Sequence, residues 1–440
     1  MTIKIFQSGK GDALLLTGTN ANILVDGGVS DAYTEFVSKE LNKLKKTNTA
    51  IDLACVSHID DDHIGGFLKM IEDMVDWRVF DFHKKHGDAV VKQPTSFRPA
   101  EIKEIWHNAF HELLKDNVGE IEEMLAANAS ILSASTSPVL KDMGEIALSK
   151  AQAIQLSRRL QAEQLNIPLN KRFGGKLAMI RKGAKPVKIG SLTISTIAPF
   201  ESDLATLRKE WNDWLRENKK VVTGIKEKVG KDAAFLGTST FPNIAINNAM
   251  ANELSPFLLG QLDLTNAAKV LGKREKVTTP NLASIMFLVE EAGKTVLMTG
   301  DGHWQDIFKG LQTINKLDMK KGLHLDVLKV QHHASEHNIS EDFCNKITAD
   351  NYIFCGNGQH ENPDLDVLKA IIDSRTTTPA ITPQAKNNFT FWFNSNSNIT
   401  EGIKEHMVKV EKLMAAETAK HKNLKVKFMK DGASFMLLTV

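Results

Sequence analysis

Two histidines and three carboxylates fall within six residues, His58-Ile59-Asp60-Asp61-Asp62-His63, and a glycine pair, Gly65-Gly66, follows. Such a density is hard to explain as scaffolding. Just before it, Ile51-Asp52-Leu53-Ala54-Cys55-Val56 reads as a short buried strand, so the cluster is expected on the loop at a strand's C-terminal end, where open α/β sheets place their sites. Imidazoles and carboxylates are the ligands of divalent zinc or manganese, and alternate-residue spacing lets one loop turn several of them inward. A solvated acidic turn would account for Asp60-Asp61-Asp62 alone. The bracketing histidines make the stretch a candidate metal cradle, completed by ligands from elsewhere in the chain.

Three further segments carry chemistry. Ala283–Val289 and Lys294–Thr299 read as a buried hairpin that ends in Gly300-Asp301. Asp326–Val330 reads as a strand running into Gln331-His332-His333-Ala334-Ser335, and consecutive histidines leaving a strand are rarely structural. Tyr352–Cys355 is another strand, followed by the loop that carries His360-Glu361-Asn362-Pro363-Asp364.

The opening stretch resembles the His-x-His-x-Asp-His signature of the metallo-β-lactamase superfamily, in the variant with Asp at the second His position. His58, Asp60, Asp62 and His63 match its four positions, with Asp61 as a solvent-facing spacer. The Gly9-Lys10-Gly11-Asp12 turn and the Lys329-Val330-Gln331-His332-His333 segment are similar to the hydrolase domain of the ComEC competence proteins and their soluble relatives, with Ala334 where those carry Gly. As a phosphate loop the glycine turn lacks the required spacing.

The resemblance implies an αβ/βα sandwich and assigns roles. Asp301 would bridge two ions, His333 would be a ligand, and His332 a neighbour that contacts the substrate or leaving group; the reverse order of that pair is equally open. His360 matches the first histidine of the relatives' His-x-His-Pro-Asp and is a candidate proton donor; Asn362 replaces the second and is a candidate substrate contact. Asp26, in a strand-ending Asp-Gly-Gly, would support the ligands from behind, as would Asn281 and His303. One ion is then held by Asp62, His63, Asp301 and His333, with Asp62 also counted as catalytic. Its neighbour has only His58, Asp60 and Asp301, plus Asn281 or water, because no histidine lies between His111 and His303. Zinc or manganese is expected as one or two ions, the second weaker and inclined to Mn or Mg.

The 440 residues fit one elaborated domain over 1–375, with helical insertions at about 112–172 and 204–268 and a strand-helix-strand extension over 376–440. Arg78-Val79-Phe80-Asp81-Phe82 reads as a strand. Net charge is only +2, so no global field advertises nucleic acid. Gly272-Lys273-Arg274-Glu275-Lys276 is a local exception, and Lys273 and Arg274 are candidate phosphate clamps. Cys55, Cys344 and Cys355 sit in or beside apolar runs as free thiols would in a reducing compartment, and no apolar run reaches about 18 residues, so a cytoplasmic protein without a membrane span is expected.

The expected function is metal-dependent hydrolysis by an activated water, on a phosphodiester: DNA, RNA or a nucleotide. Partner proteins in a bacterial defence or DNA-processing system are part of that expectation. The alternatives are a non-nuclease hydrolase acting on a thioester, lactone or lipid phosphoester, and a non-catalytic metal-binding module of a larger complex.

Overall fold

The computed structural model describes residues 1–87, 91–108, 156, 159–160, 164–205, 277, 279–376, 381–399 and 403–440. Most of both expected helical insertions, and Lys273 and Arg274, lie outside the described residues.

Two sheets face each other. The first has the order β14-β1-β2-β3-β4-β5, built from β1 (Thr2–Phe6), β2 (Leu14–Thr17), β3 (Asn22–Val25), β4 (Leu53–Cys55), β5 (Ile105–Trp106) and β14 (Phe435–Thr439). The second runs β13-β12-β11-β10-β9-β8-β7-β6. Its strands are β6 (Val187–Ile189), β7 (Leu192–Ala198), β8 (Met286–Glu291), β9 (Lys294–Met298), β10 (Leu323–Lys329), β11 (Ile347–Phe354), β12 (Phe389–Phe393) and β13 (Leu424–Phe428). From β9 to β13 the neighbours are parallel.

Strand periodicity explains the layering. Leu14 and Leu16 of β2, Ile23 of β3 and Leu53 of β4 meet Phe287, Val289 and Val296 of the opposite sheet, whereas the intervening Leu15, Leu24 and Ala54 face outward into a second cluster. Side chains alternate with period two, so a strand buried on both faces reads as a continuous apolar run. Helices cover the outer faces. Helix α1 (Ser38–Lys46) and helix α2 (Asp61–Lys85) pack Leu41, Ile64, Phe67 and Ile71 on the first sheet. Helices α3 (Trp304–Thr313), α4 (Glu341–Lys346), α5 (Leu365–Thr376) and α6 (Lys404–Lys420) pack Ile307, Leu311, Phe343, Val367, Ile371 and Met407 on the second. This is the αβ/βα sandwich.

Residues after 375 add to both sheets. β12 and β13 extend the second sheet, and β14 pairs antiparallel with β1, Ile5 opposite Met436. The sequence reading fails at 78–82, which belongs to helix α2 and not to a strand. A five-residue alternation is too short to outweigh the helical spacing of Ile64, Phe67, Leu68 and Ile71 one helix segment earlier, and Val79 and Phe82 are exposed. Acids in that helix's first turn and His83, Lys84 and Lys85 in its last match its dipole. All three cysteines are buried and free. No described helix is long and apolar enough to cross a membrane.

Candidate metal centre

Two glycines let three loops converge. A Cβ on Gly11 would fall 1.7 Å from the Asp62 carbonyl oxygen, and one on Gly66 would fall 2.0 Å from that of Gly27. Lacking those carbons, the loop after β1 and the turn after β3 lie directly on the start of helix α2, joined by Asp12 N–H to Asp62 O at 3.3 Å and Gly27 N–H to His63 O at 2.9 Å. The C-terminal ends of β9 and β10 bring Asp301 and His332-His333 from the other sheet.

The histidines are oriented from behind. Asp26, fully buried at a left-handed φ of 56°, accepts from Ser57 N–H at 2.7 Å and Ser57 Oγ at 2.7 Å, and it accepts from His63 Nδ1 at 3.0 Å. Ser57 Oγ has thereby used its proton, so it accepts from His58 Nδ1 at 3.2 Å. His333 Nδ1 donates to the Cys355 carbonyl at 2.5 Å. In all three rings Nδ1 keeps its proton against an oxygen, so Nε2 is the nitrogen whose lone pair an ion would take. His332, His333 and Ala334 all have left-handed φ (45°, 52° and 66°), a strained turn that aims consecutive rings into one site. A glycine at position 334 would adopt that backbone without strain.

Asp62, His63, Asp301 and His333 then meet. His333 Nε2 lies 3.1 Å from Asp62 Oδ2 and 3.4 Å from Asp301 Oδ2, and His63 Nε2 lies 3.4 Å from Asp301 Oδ1 and 3.8 Å from Asp62 Oδ2. Ligands about 2.0–2.1 Å from a tetrahedral zinc stand roughly 3.3–3.4 Å apart. Nε2 of His58, His63 and His333 and Oδ1 of Asp301 are buried with no hydrogen-bond partner. Orphaned lone pairs at ligand spacing fit a divalent ion. A second half-site shares Asp301, with His58 Nε2 3.7 Å from Asp301 Oδ2 and 3.5 Å from Asp60 Oδ2. His58, His63 and Asp301 form one convergent group of metal-competent atoms; Asp12, His63 and His333 form another. The latter faces the Nδ1 side, where Asp26 and Cys355 already engage the rings and Asp12 stands 3.9 Å from His63 Nδ1 and 3.4 Å from His333 Nδ1.

Asp12 and Lys329 were not singled out from sequence. Both are buried and paired, and Lys329 Nζ also donates to Gly300 O at 3.0 Å and stands 3.8 Å from Asp301 Oδ1. Asp12 also lies 3.4 Å from His333 Nδ1. The available signals were the acid ending the Gly-x-Gly turn and a lysine inside an apolar strand. They change the electrostatics: Asp12, Asp26, Asp60, Asp62 and Asp301 with Lys329 leave four negative charges, the complement of two divalent cations.

The ionisation pattern follows. Burial opposes charge on every one of these groups, yet mutual attraction outweighs it. His63 is held well above the usual histidine range by Asp301, Asp62, Asp26 and Asp12; His333 is likewise held up by Asp301, Asp12 and Asp62. Lys329 and the histidines hold Asp12 down, and His63 and His333 do the same for Asp62. His333, His63, His332 and His58 hold Asp301 down. Lys329 is pushed up by Asp12 and Asp301. His332 differs, because burial prevails and lowers it.

The other candidates lie around this cluster. His332 Nδ1 contacts Asn338 Oδ1 at 2.7 Å, and Asn281 Nδ2 stands 3.3 Å from its Nε2. His303 caps helix α3, its Nδ1 accepting from Gln305 N–H at 3.3 Å. His360 is exposed on the left-handed turn after β11 and makes no hydrogen bond or ion pair among the described residues. Asn362 is buried before Pro363, its backbone closing that turn onto Gly358 and Gln359.

Known proteins give a partial match. Residues 8–73 match the family model described as the metallo-beta-lactamase superfamily. That span holds Asp12, Asp26 and the whole His58–His63 stretch. Among solved structures the chain is similar to the metallo-beta-lactamase fold protein YhfI from Bacillus subtilis, at 11% identity over 99% of this chain and 98% of that one, TM-score 0.33. A metallo hydrolase from the archaeon Ignicoccus hospitalis matches at 11% identity over 100% of both chains, TM-score 0.33. Zn2+-bound PqqB from Methylobacterium extorquens matches at 8% identity over 100% of both, TM-score 0.31. No curated protein matches the sequence.

Proposed function

We propose that the protein is a metal-dependent hydrolase acting on phosphodiesters, with DNA, RNA or a nucleotide as substrate. The observation that carries this reading is the convergence of three unpartnered Nε2 atoms on the buried Asp301 carboxylate, His63 at Oδ1 and His58 and His333 at Oδ2. Zinc or manganese fits the mixed imidazole and carboxylate donors. Bound there, a divalent ion supplies Lewis-acid charge and brings the pKa of a water towards neutrality.

The chain's own residues do the rest. Asp26, Ser57 and Cys355 O keep the Nδ1 protons of His63, His58 and His333 in place, so the ligand rings need no reorganisation. Lys329, 3.8 Å from Asp301 Oδ1, attracts that carboxylate without hydrogen-bonding it. His332 in its Nδ1–H form has no proton to give from Nε2, so His360 is the candidate donor to the leaving oxygen. Lys273, Arg274 and Asn362 are proposed to contact the substrate, and partner proteins of a defence or DNA-processing system remain part of the proposal.

The test is hydrolysis of bis-p-nitrophenyl phosphate by purified protein with Mn2+ or Zn2+. Asp301→Ala should remove the activity; an unchanged rate refutes the catalytic reading. Incubation with single-stranded DNA, duplex DNA, RNA and cyclic dinucleotides then separates polymer from small-molecule substrates. A second reading, a neutral thioester or lactone substrate, is favoured by the charge balance, since two ions would leave the site without excess positive charge. Turnover of such esters with none of the phosphodiester would establish it instead.

A further inference from the structure

We propose that His332 is the imidazole ligand missing from the second half-site, so that the two consecutive histidines serve two different ions. The inference rests on the metal reading above and assigns one more ligand to it.

Asn338 is fully buried between the loop after β9 and the turn after β10. Its Nδ2 donates to the carbonyls of Asp301 at 2.9 Å and Gly302 at 3.0 Å. Two carbonyls on one side fix which end of the amide is nitrogen, so Oδ1 is the acceptor facing His332. His332 Nδ1 therefore donates, and the lone pair of the neutral ring is on Nε2. Asn281 Nδ2 meets that same atom as a donor, consistent with a lone pair there.

His332 thus shares the construction of the three other rings. Each has Nδ1 held by an oxygen: Ser57 Oγ for His58, Asp26 for His63, Cys355 O for His333 and Asn338 for His332. Each points Nε2 at Asp301, at 3.7, 3.4, 3.4 and 3.6 Å respectively. His58, Asp60, Asp301 and His332 then make a four-residue set equal in number to Asp62, His63, Asp301 and His333. Asn281 Oδ1 is buried without a partner among the described residues, and a half-turn of its amide would clear Nε2 and offer an oxygen.

The test is metal binding by the full chain, read without turnover, by isothermal titration with Mn2+ and by the electronic spectrum of Co2+-loaded protein. Wild type should take two ions. His332→Ala and the size-conserving His332→Gln should keep the first affinity and weaken the second at least about 10-fold, matching His58→Ala. Asn338→Ala, which frees the ring without removing it, should weaken the second ion by about 10- to 100-fold. A two-ion titration unchanged in both His332 variants, or a wild type that binds one ion and is indifferent to His332, overturns the assignment. An absence of phosphodiester hydrolysis alongside loss of the second ion would sink the proposed activity and leave the ligand assignment standing.

Discussion

Replacing Lys329 by Met isolates the buried pair that supports the centre. Lys329 and Asp12 are 1% and 2% exposed in their side chains, and Lys329 also contacts Gly300 O and Asp301. Methionine fills a similar volume but leaves the Asp12 carboxylate buried beside Asp301 without its cation. Breaking one partner of a buried pair costs about 3–5 kcal/mol. With an m-value of about 3 kcal/mol per molar urea, the unfolding midpoint should fall by roughly 1–2 M. The assay is urea unfolding of chelated protein, followed by tryptophan fluorescence. Asp12→Leu with Lys329→Met should recover most of the loss, because no unpaired charge remains. A midpoint within about 0.3 M of wild type, or a double variant that loses the sum of both singles, would refute the argument.

Other outcomes follow from the same geometry. Asp26→Asn should weaken the first ion by about 10- to 100-fold in a titration, because His63 loses its carboxylate acceptor. Binding of the first ion should release protons from His63 and His333, so its affinity should rise with pH; titrations in buffers of different ionisation enthalpy would show it, and buffer-independent heats would count against it. Chelated protein should have an asymmetric stability profile. The raised histidines stabilise it fully below their ordinary value of 6.5 and lose that contribution as pH rises through their raised values. The depressed Asp12, Asp62 and Asp301 contribute above 3.8 and lose it as pH falls through their lowered values. Melting temperatures should therefore drop on the alkaline side without metal, and much less with zinc. Gly11→Ala should yield little folded protein, since its Cβ would meet a backbone oxygen at 1.7 Å.

The strands and the residue types able to bind a metal could be read directly, because each is announced locally. Ala283–Val289, Lys294–Thr299 and Asp326–Val330 are apolar runs ended by chemistry-bearing residues, and they became β8, β9 and β10. Arg78–Phe82 misled because its alternation mimics a strand while the helix it continues is set by residues a dozen positions earlier. Asp12 and Lys329 carry no role in the sequence because each alone is an ordinary turn acid or lysine. Their meaning lies in a pairing across more than 300 residues of chain.

The sequence by itself determined which residues can hold a metal, since ligand chemistry belongs to the residue type, and it placed them at strand ends, since hydrophobic periodicity is local. Only the tertiary structure decided which nitrogen of each imidazole faces Asp301, that Asp12 stands on the Nδ1 side of the rings, and that Lys329 brings the charge of the five carboxylates to the complement of two ions. Those properties arise from hydrogen bonds and ion pairs between segments that meet only when the two sheets close on each other.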